Sequence, residues 1–284
     1  MGRQAQLLAG RLGTPLKRRE NRMDLELRGR RAVVTGASKG IGLAIAQTLA
    51  AEGVALAICS RTDADIQGAA TELGRRYEVP VAALAVDLSD AAGVERFATF
   101  AMQELGGVDI LVNNAGAIPR GTIDSLDDET WQEAYALKFW GFIRMARALL
   151  PQMRSRRDGV ILNIIGNAGK EPHRDYIAGG PANAGLMNFT KTLALDCAAD
   201  GIRVVAVNPG AIRTPRMNSR YERMAREQGV TFQDIERESA KGIPLGRVGE
   251  AEEVAYVAAF LVSPRASYIT GSVIPVEGGA TGSV

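Results

Sequence analysis

Histidine is nearly absent from this chain: His173 is the only one, in a loop rich in proline and charge. A solvated loop histidine is the plainer reading, with a backup acid as the alternative because imidazole titrates near neutrality. Cysteine is almost as scarce. Cys59 falls in an expected strand and Cys197 in an expected helix, which argues against a disulfide framework and for a reducing, cytoplasmic setting. No metal site is expected. No apolar run is long enough to cross a bilayer, so no membrane partner is expected either.

Strong net charge is lacking too. The formal value is +2, and even this comes from one end, where Arg3, Arg11, Lys17, Arg18, Arg19 and Arg22 face only Glu20. The remainder is net acidic, which removes any reason to expect a nucleic-acid partner. Segment 1–22 can be read as a basic arm or as a targeting peptide, which its arginines suit and its shortage of serine does not. The preferred reading is a disordered extension or a misplaced start, with the folded domain covering 23–284.

What is present fits one α/β domain: 284 residues, 46% hydrophobic and 23% charged. The organising stretch runs from Arg31 to Gly53. Ala32 to Thr35 suits a buried parallel strand. Gly36, Gly40 and Gly42 follow, and Ile41, Ile45 and Leu49 then recur at helical spacing until Gly53. A strand turning through glycines into a helix presents backbone N–H groups and a positive helix end to a pyrophosphate, and a Cβ there would hold the phosphate away. A tight turn without a ligand is the bland alternative. With Thr35 in front, Thr-Gly-x3-Gly-x-Gly resembles the motif of the short-chain dehydrogenase/reductase family, and Met23-Asp-Leu-Glu-Leu-Arg-Gly-Arg resembles its usual opening. The fold implied is a single Rossmann-type doubly wound parallel sheet with helices on both faces.

Val54 to Cys59 reads as the second strand. Its tip, Ser60-Arg61, carries no acid to accept from a ribose 2′-hydroxyl. Arg61, with Lys39 in the glycine loop, can instead pair with a 2′-phosphate, at about 1.5–3 kcal/mol for a charge-assisted bond. NADP(H) is therefore expected over NAD(H), against the alternative of two solvated cations. A helix is expected over 63–77, strands over Val81 to Val86, Asp109 to Val112, Val160 to Ile165 and Val204 to Val207, and helices from Val94 to Leu105, Asp127 to Met153, Ala182 to Ala199 and Glu250 to Leu261. Residues 215–243 read as a polar, irregular loop.

The resemblance assigns further cofactor contacts. These are Gly36, Ser38, Lys39, Gly40, Ile41 and Gly42 in the first turn, Asp87 and Leu88 after the third strand, and Asn114, Ala115 and Gly116 within Asn113-Asn-Ala-Gly. Pro209, Gly210, Ile212 and Thr214 come from Asn208-Pro-Gly-Ala-Ile-Arg-Thr, which resembles the family's turn beside the nicotinamide. The resemblance covers about residues 26–280. It also implies a homotetramer or homodimer pairing the helices 127–153 and 182–199, whose Phe142, Met145, Leu186 and Phe189 look more than one core face would use.

The family's acid/base group is where the resemblance breaks. Reduction there draws a proton from a tyrosine of a Tyr-x3-Lys motif, supported by a serine and an asparagine. Aligned on Asn163-Ile-Ile-Gly166 and Thr190-Lys191, this chain has Gly166 for the serine, Gly179 for the tyrosine and Asn183 for the lysine; Lys138 stands for the asparagine. The lysine and asparagine are thus exchanged between two sites that face one relay in the fold. Tyr176, three residues before Gly179, and Asn167, beside Gly166, complete a rearranged group of Tyr176, Lys138, Asn167 and Asn183. In this reading Lys138 lowers the pKa of the Tyr176 phenol. The bland alternatives are a lysine satisfying helix carbonyls and a packing tyrosine. Ile118, Trp140, Met217 and Tyr221 are expected to line a pocket for a small, partly apolar substrate.

Three functions stay open at this point. The favoured one is an NADP(H)-dependent oxidoreductase interconverting a carbonyl and an alcohol. The others are a cofactor-binding pseudoenzyme or redox sensor, and a non-redox relative of the epimerase or lyase kind.

Overall fold

A computed structural model describes residues 23–282; the expected 1–22 extension lies outside them. In chain order the elements are β1 (Arg31–Thr35), α1 (Gly40–Ala51), β2 (Ala55–Ser60), α2 (Asp63–Tyr77), β3 (Val81–Ala85), α3 (Ala91–Leu105) and β4 (Ile110–Asn113). Then come α4 (Asp128–Tyr135), α5 (Gly141–Arg156), β5 (Gly159–Ile164), α6 (Gly179–Cys197) and β6 (Ile202–Pro209). The last part holds β7 (Ile212–Arg213), α7 (Pro215–Gln228), α8 (Phe232–Ala240), β8 (Gly249–Glu250), α9 (Ala251–Val262) and β9 (Val273–Val276). Seven strands pair in the order β3-β2-β1-β4-β5-β6-β9, every neighbour parallel. The doubly wound sheet expected from the sequence is present.

Strand alternation divides the core. Ala32 and Val34 of β1 pack with Ile45, Leu49 and Val254, under α1 and α9. Val33 between them packs with Phe97, Met145 and Leu149, under α3 and α5. Both faces are covered, so the central strands read as continuous apolar runs. Cys59 and Cys197 are buried free thiols, and burial pushes Cys59 up to about 12.

Three expectations need correction. The helix expected over 127–153 starts as read, with Asp127 accepting from Thr130 N at 2.9 Å. It is then interrupted by a π turn, Ala136–Trp140, between α4 and α5, and such turns gather at functional sites. Residues 215–243 are largely helical, not irregular: Thr214 caps α7 and a Thr231/Asp234 capping box starts α8. Tyr221, Ala225 and Ile235 form a small core between them, flanked by Met217, Met224 and Phe232. Tyr221, expected to line a pocket, is thus buried between α7 and α8, with Met217 packed partly buried beside it. Third, Phe142, Met145 and Leu186 are buried within one chain and only Phe189 of the four is partly exposed, so three of them are used by the chain's own core.

Candidate active site

The carboxyl ends of β1 and β4 mark the topological switch point, since β1 turns outward to β2 and β4 to β5. The loops after these strands lock together. Thr35 Oγ1 accepts from Asn114 N at 2.9 Å and Ala115 N at 3.0 Å. Asn114 Nδ2 returns two bonds, to Thr35 O at 3.0 Å and Gly36 O at 3.1 Å. A Cβ on Gly42 would stand 2.3 Å from Gly36 O and 2.4 Å from Asn114 Nδ2. This glycine is thus demanded by the turn's own backbone, a stronger reason than the phosphate clearance read from the sequence.

The same turn suits a pyrophosphate. Lys39 is the N-cap of α1 in extended conformation; no side chain caps the helix and no acid lies in its first turn. The free N–H groups and the helix end are left for an anion. Ser38 and Ile41 flank this turn half-buried, while Lys39 and Arg61 are exposed. Among the described residues neither cation forms an ion pair. The β6–α7 segment closes the mouth: Thr214 Cγ2 lies 3.4 Å from the Cβ position of Gly40. Pro209 ends β6, Gly210 packs on Glu277, and Ile212 is buried in β7. After β3, the Asp87 carboxylate accepts from Ser89 N at 2.9 Å and Leu88 is buried.

The other half of the crevice rests on a buried polar chain. Asn113 Nδ2 donates to Asn163 Oδ1 at 3.0 Å, and Asn163 Nδ2 donates to Thr190 Oγ1 at 3.0 Å. This joins β4, β5 and α6. Above it, the π turn carries Lys138. Its stem lies on Gly116, where a Cβ would meet Cδ at 2.9 Å, and its ammonium donates to Ile165 O at 2.5 Å. Burial first, then the charge of Arg216, brings Lys138 down to about 8. Asn183 is buried against Gly166, with Nδ2 3.1 Å from that glycine's Cβ position. Its Oδ1 is buried with no hydrogen-bond donor. Such an orphan acceptor is costly unless a ligand or water meets it.

Tyr176 holds the space in front of Gly179. A Cβ on Gly179 would lie 2.0 Å from Tyr176 Cε1 and 2.1 Å from Cζ. The ring therefore fills the volume that a side chain at 179 would enter. A parallel bridge between Gly121 and Tyr176 fixes the backbone, and Arg120 sits over the ring at 5.5 Å. Ile118 packs in the same cluster with Ala178 and Ala182. The phenol pKa moves opposite to the sequence expectation. Burial raises it, and the cations that oppose the rise are Arg216 and Arg120, not Lys138.

Of the remaining expected residues, Asn167 opens a short 3-10 turn after β5, with its carbonyl accepting from Lys170 N at 2.8 Å. His173 is exposed. Trp140 points outward, 45% exposed, beneath Arg144. Sequence reasoning missed Arg216, which donates to Gly116 O at 3.1 Å and whose charge acts on both Lys138 and Tyr176. The available signal was Thr214-Pro215, a cap and first helical residue that put position 216 in the first turn of a helix.

Residues 36–281 match the family profile described as Enoyl-(Acyl carrier protein) reductase. The chain is 36% identical over 259 residues to the NADPH-dependent reductase BacG of Bacillus subtilis (strain 168), covering 90% of this chain and 99% of that protein. It is 34% identical over 258 residues to the 3-oxoacyl-[acyl-carrier-protein] reductase FabG of Escherichia coli (strain K12), covering 90% and 98%. The crystal structure of L-sorbose reductase from Gluconobacter frateurii, complexed with NADPH and L-sorbose, superimposes with a TM-score of 0.90 at 35% identity, covering 92% of this chain and 100% of that one. On fold, motifs and likeness together, the chain belongs to the short-chain dehydrogenase/reductase family.

Proposed function

We propose that this chain is an NADP(H)-dependent oxidoreductase that reduces a carbonyl to an alcohol, with Tyr176 as the proton donor and Lys138 as the supporting cation. The observation that carries the reading is the Tyr176 ring, which stands where a side chain at position 179 would stand. The uncapped start of α1 would hold the pyrophosphate, and Arg61 with Lys39 a 2′-phosphate. NADPH, when bound, supplies the hydride.

The chain's own residues manage the other product of that transfer, negative charge on the substrate oxygen. The raised pKa of Tyr176 keeps its phenol protonated at neutral pH, so the proton is in place, and its release depends on the surrounding cations. The phenolic proton passes to the oxygen, the O–H bond of Tyr176 breaks, and the phenolate left behind is stabilised by the cations around it. Those acting on the phenol are Arg216 and Arg120; Lys138, buried and fixed by Ile165 O, is assigned the supporting charge toward the substrate oxygen. Asn183 Oδ1, lacking any protein donor, has the position and chemistry to accept from a water or a substrate hydroxyl. Asn167 lies at the same strand end as a second polar contact.

Assay of carbonyls and alcohols with NADPH and NADP tests the reading, with Tyr176→Phe and Lys138→Met as variants. Cofactor binding without turnover of any of them would favour a cofactor-binding protein without dehydrogenase function, whereas full activity in both variants would overturn Tyr176 and Lys138 in favour of a different acid. Homotetramer or homodimer formation remains part of the proposal, supported by Leu195 of α6, 71% exposed, and Tyr256 of α9, 63% exposed; light scattering decides it. A cytoplasmic setting is supported by the two buried free thiols. Among the described residues no helix is long and apolar enough to cross a membrane.

A further inference from the structure

The rim of the catalytic half carries more positive charge than its own carboxylates balance. Arg216 and Arg220 lie one turn apart on α7, so they share a face. Arg216 is tied to Gly116 O at 3.1 Å, on the glycine against which the Lys138 stem lies. Arg120 reaches the same rim from the β4–α4 segment and covers the Tyr176 ring at 5.5 Å. Among the described residues, the carboxylate set against them is Asp175, which Arg120 already holds at 2.7 Å. Among the described residues neither Arg216 nor Arg220 forms an ion pair. Arg220 is half-buried; burial first, and then the charge of Arg120, lowers its pKa against the pull of Asp175.

Clustered guanidinia repel one another, and a half-buried one with no ion pair has only the shared pull of Asp175 to offset its lost hydration. An oxyanion between them relieves both costs, and the arginine fork suits a carboxylate or a phosphate. The geometry points to a carbonyl substrate that carries an oxyanion group, a carboxylate or a phosphate, held by Arg216 and Arg220 beside Lys138 and Tyr176. The carbonyl in this statement rests on the oxidoreductase reading; the oxyanion does not.

The test measures binding to the NADP-loaded protein by calorimetry, in parallel with NADPH consumption. The probes are 2-oxo-4-phenylbutanoate, its primary amide, and dihydroxyacetone phosphate. At least one anionic probe should bind about tenfold or more tighter than the amide. Arg216→Ala and Arg220→Ala should each remove most of that preference, while Arg226→Ala, which removes the same charge from the last turn of α7, should keep it. A response to the carboxylate or to the phosphate alone identifies which group is held. Anion binding that depends on Arg216 without turnover would uphold the oxyanion site and overturn the oxidoreductase reading. Equal affinity for acid, phosphate and amide, absence of binding by all three, or insensitivity to both arginine variants would overturn the oxyanion site, whatever the turnover.

Discussion

The two halves of the crevice are held by different kinds of contact. Around β1 and α1, the motif residues fix one another through backbone atoms: Gly42 against Gly36 O, and Thr35 against the amides of Asn114 and Ala115. Around β5 and α6, glycines face side chains borne by other residues: Gly179 faces Tyr176, Gly116 faces Lys138 and Gly166 faces Asn183. A backbone contact leaves no freedom in which residue provides it. A side-chain volume can be filled from either neighbour, so the same space admits a tyrosine from position 176 as readily as one from 179. On the proposed reading, the cofactor half depends on backbone contacts, while the catalytic half takes its volume and charge from side chains at other positions.

The largest effect expected comes from removing the phenol oxygen. Tyr176→Phe leaves the ring in place over Gly179 and should lower turnover by about 10²–10⁴, the usual cost of losing a general acid. NADPH affinity, read by calorimetry, should change little. Gly179→Ala probes the same volume from the other side. Its Cβ collides with a ring that can swing away, so the fold should survive with a modest fall in Tm while turnover drops toward that of Tyr176→Phe. Combined with Tyr176→Phe, it should cost far less than the product of the two single effects. Independent multiplication of the two would break the comparison drawn above.

In the cofactor half the backbone itself is the obstacle. Gly42→Ala places a methyl 2.3 Å from Gly36 O, an overpacking that backbone shifts must absorb at about 1–3 kcal/mol. NADPH affinity should fall by roughly ten- to a hundredfold, and Tm with it. Arg61→Ala acts only on the 2′-phosphate. The wild type should prefer NADPH to NADH by about ten- to a hundredfold, and the variant should lose most of that preference. Equal affinities in the wild type would remove the NADP(H) assignment from Arg61.

How much of this was legible in sequence follows the same division. The strand positions and the first turn could be read because each is a local pattern of apolar periodicity and glycine spacing. The π turn could not, since Ala136–Trp140 continues a helical pattern and the contact that accompanies it, Phe139 against Gly185 of α6, joins distant segments. The helices of 215–243 were hidden by charge density, although Met217, Tyr221, Met224 and Ala225 recur at helical spacing and form their shared core. The assignment of Lys138 and Asn183 as an exchanged pair rests on sequence spacing alone, and its electrostatic consequence could not be read there. Burial of the phenol depends on the Gly121–Tyr176 bridge, a contact between distant segments, and it reverses the direction of the pKa shift that sequence proximity suggested.

The smallest effect, and the one that isolates Lys138, is the pH dependence. Burial and Arg216 bring its amine to about 8, below the ordinary lysine value, so the ammonium is present below that pH and lost as pH rises through it. If that charge supports proton donation, carbonyl reduction should be flat below pH about 8 and fall above it by up to about tenfold per unit. Tyr176 keeps its proton over this window, since its pKa is raised, and adds no limb of its own. Lys138→Met should lower the plateau and abolish the decline. Stability runs the other way. The unfolded lysine holds its proton up to pH ~10.4, so unfolding takes up a proton between about 8 and that value, and stability from this group rises with pH across the interval. A wild-type Tm that gains on Lys138→Met at pH 7, with the gain shrinking toward pH 10, is the signature of a buried ammonium. An activity profile unchanged by the substitution would show that the lysine is packing against Gly116 and nothing more.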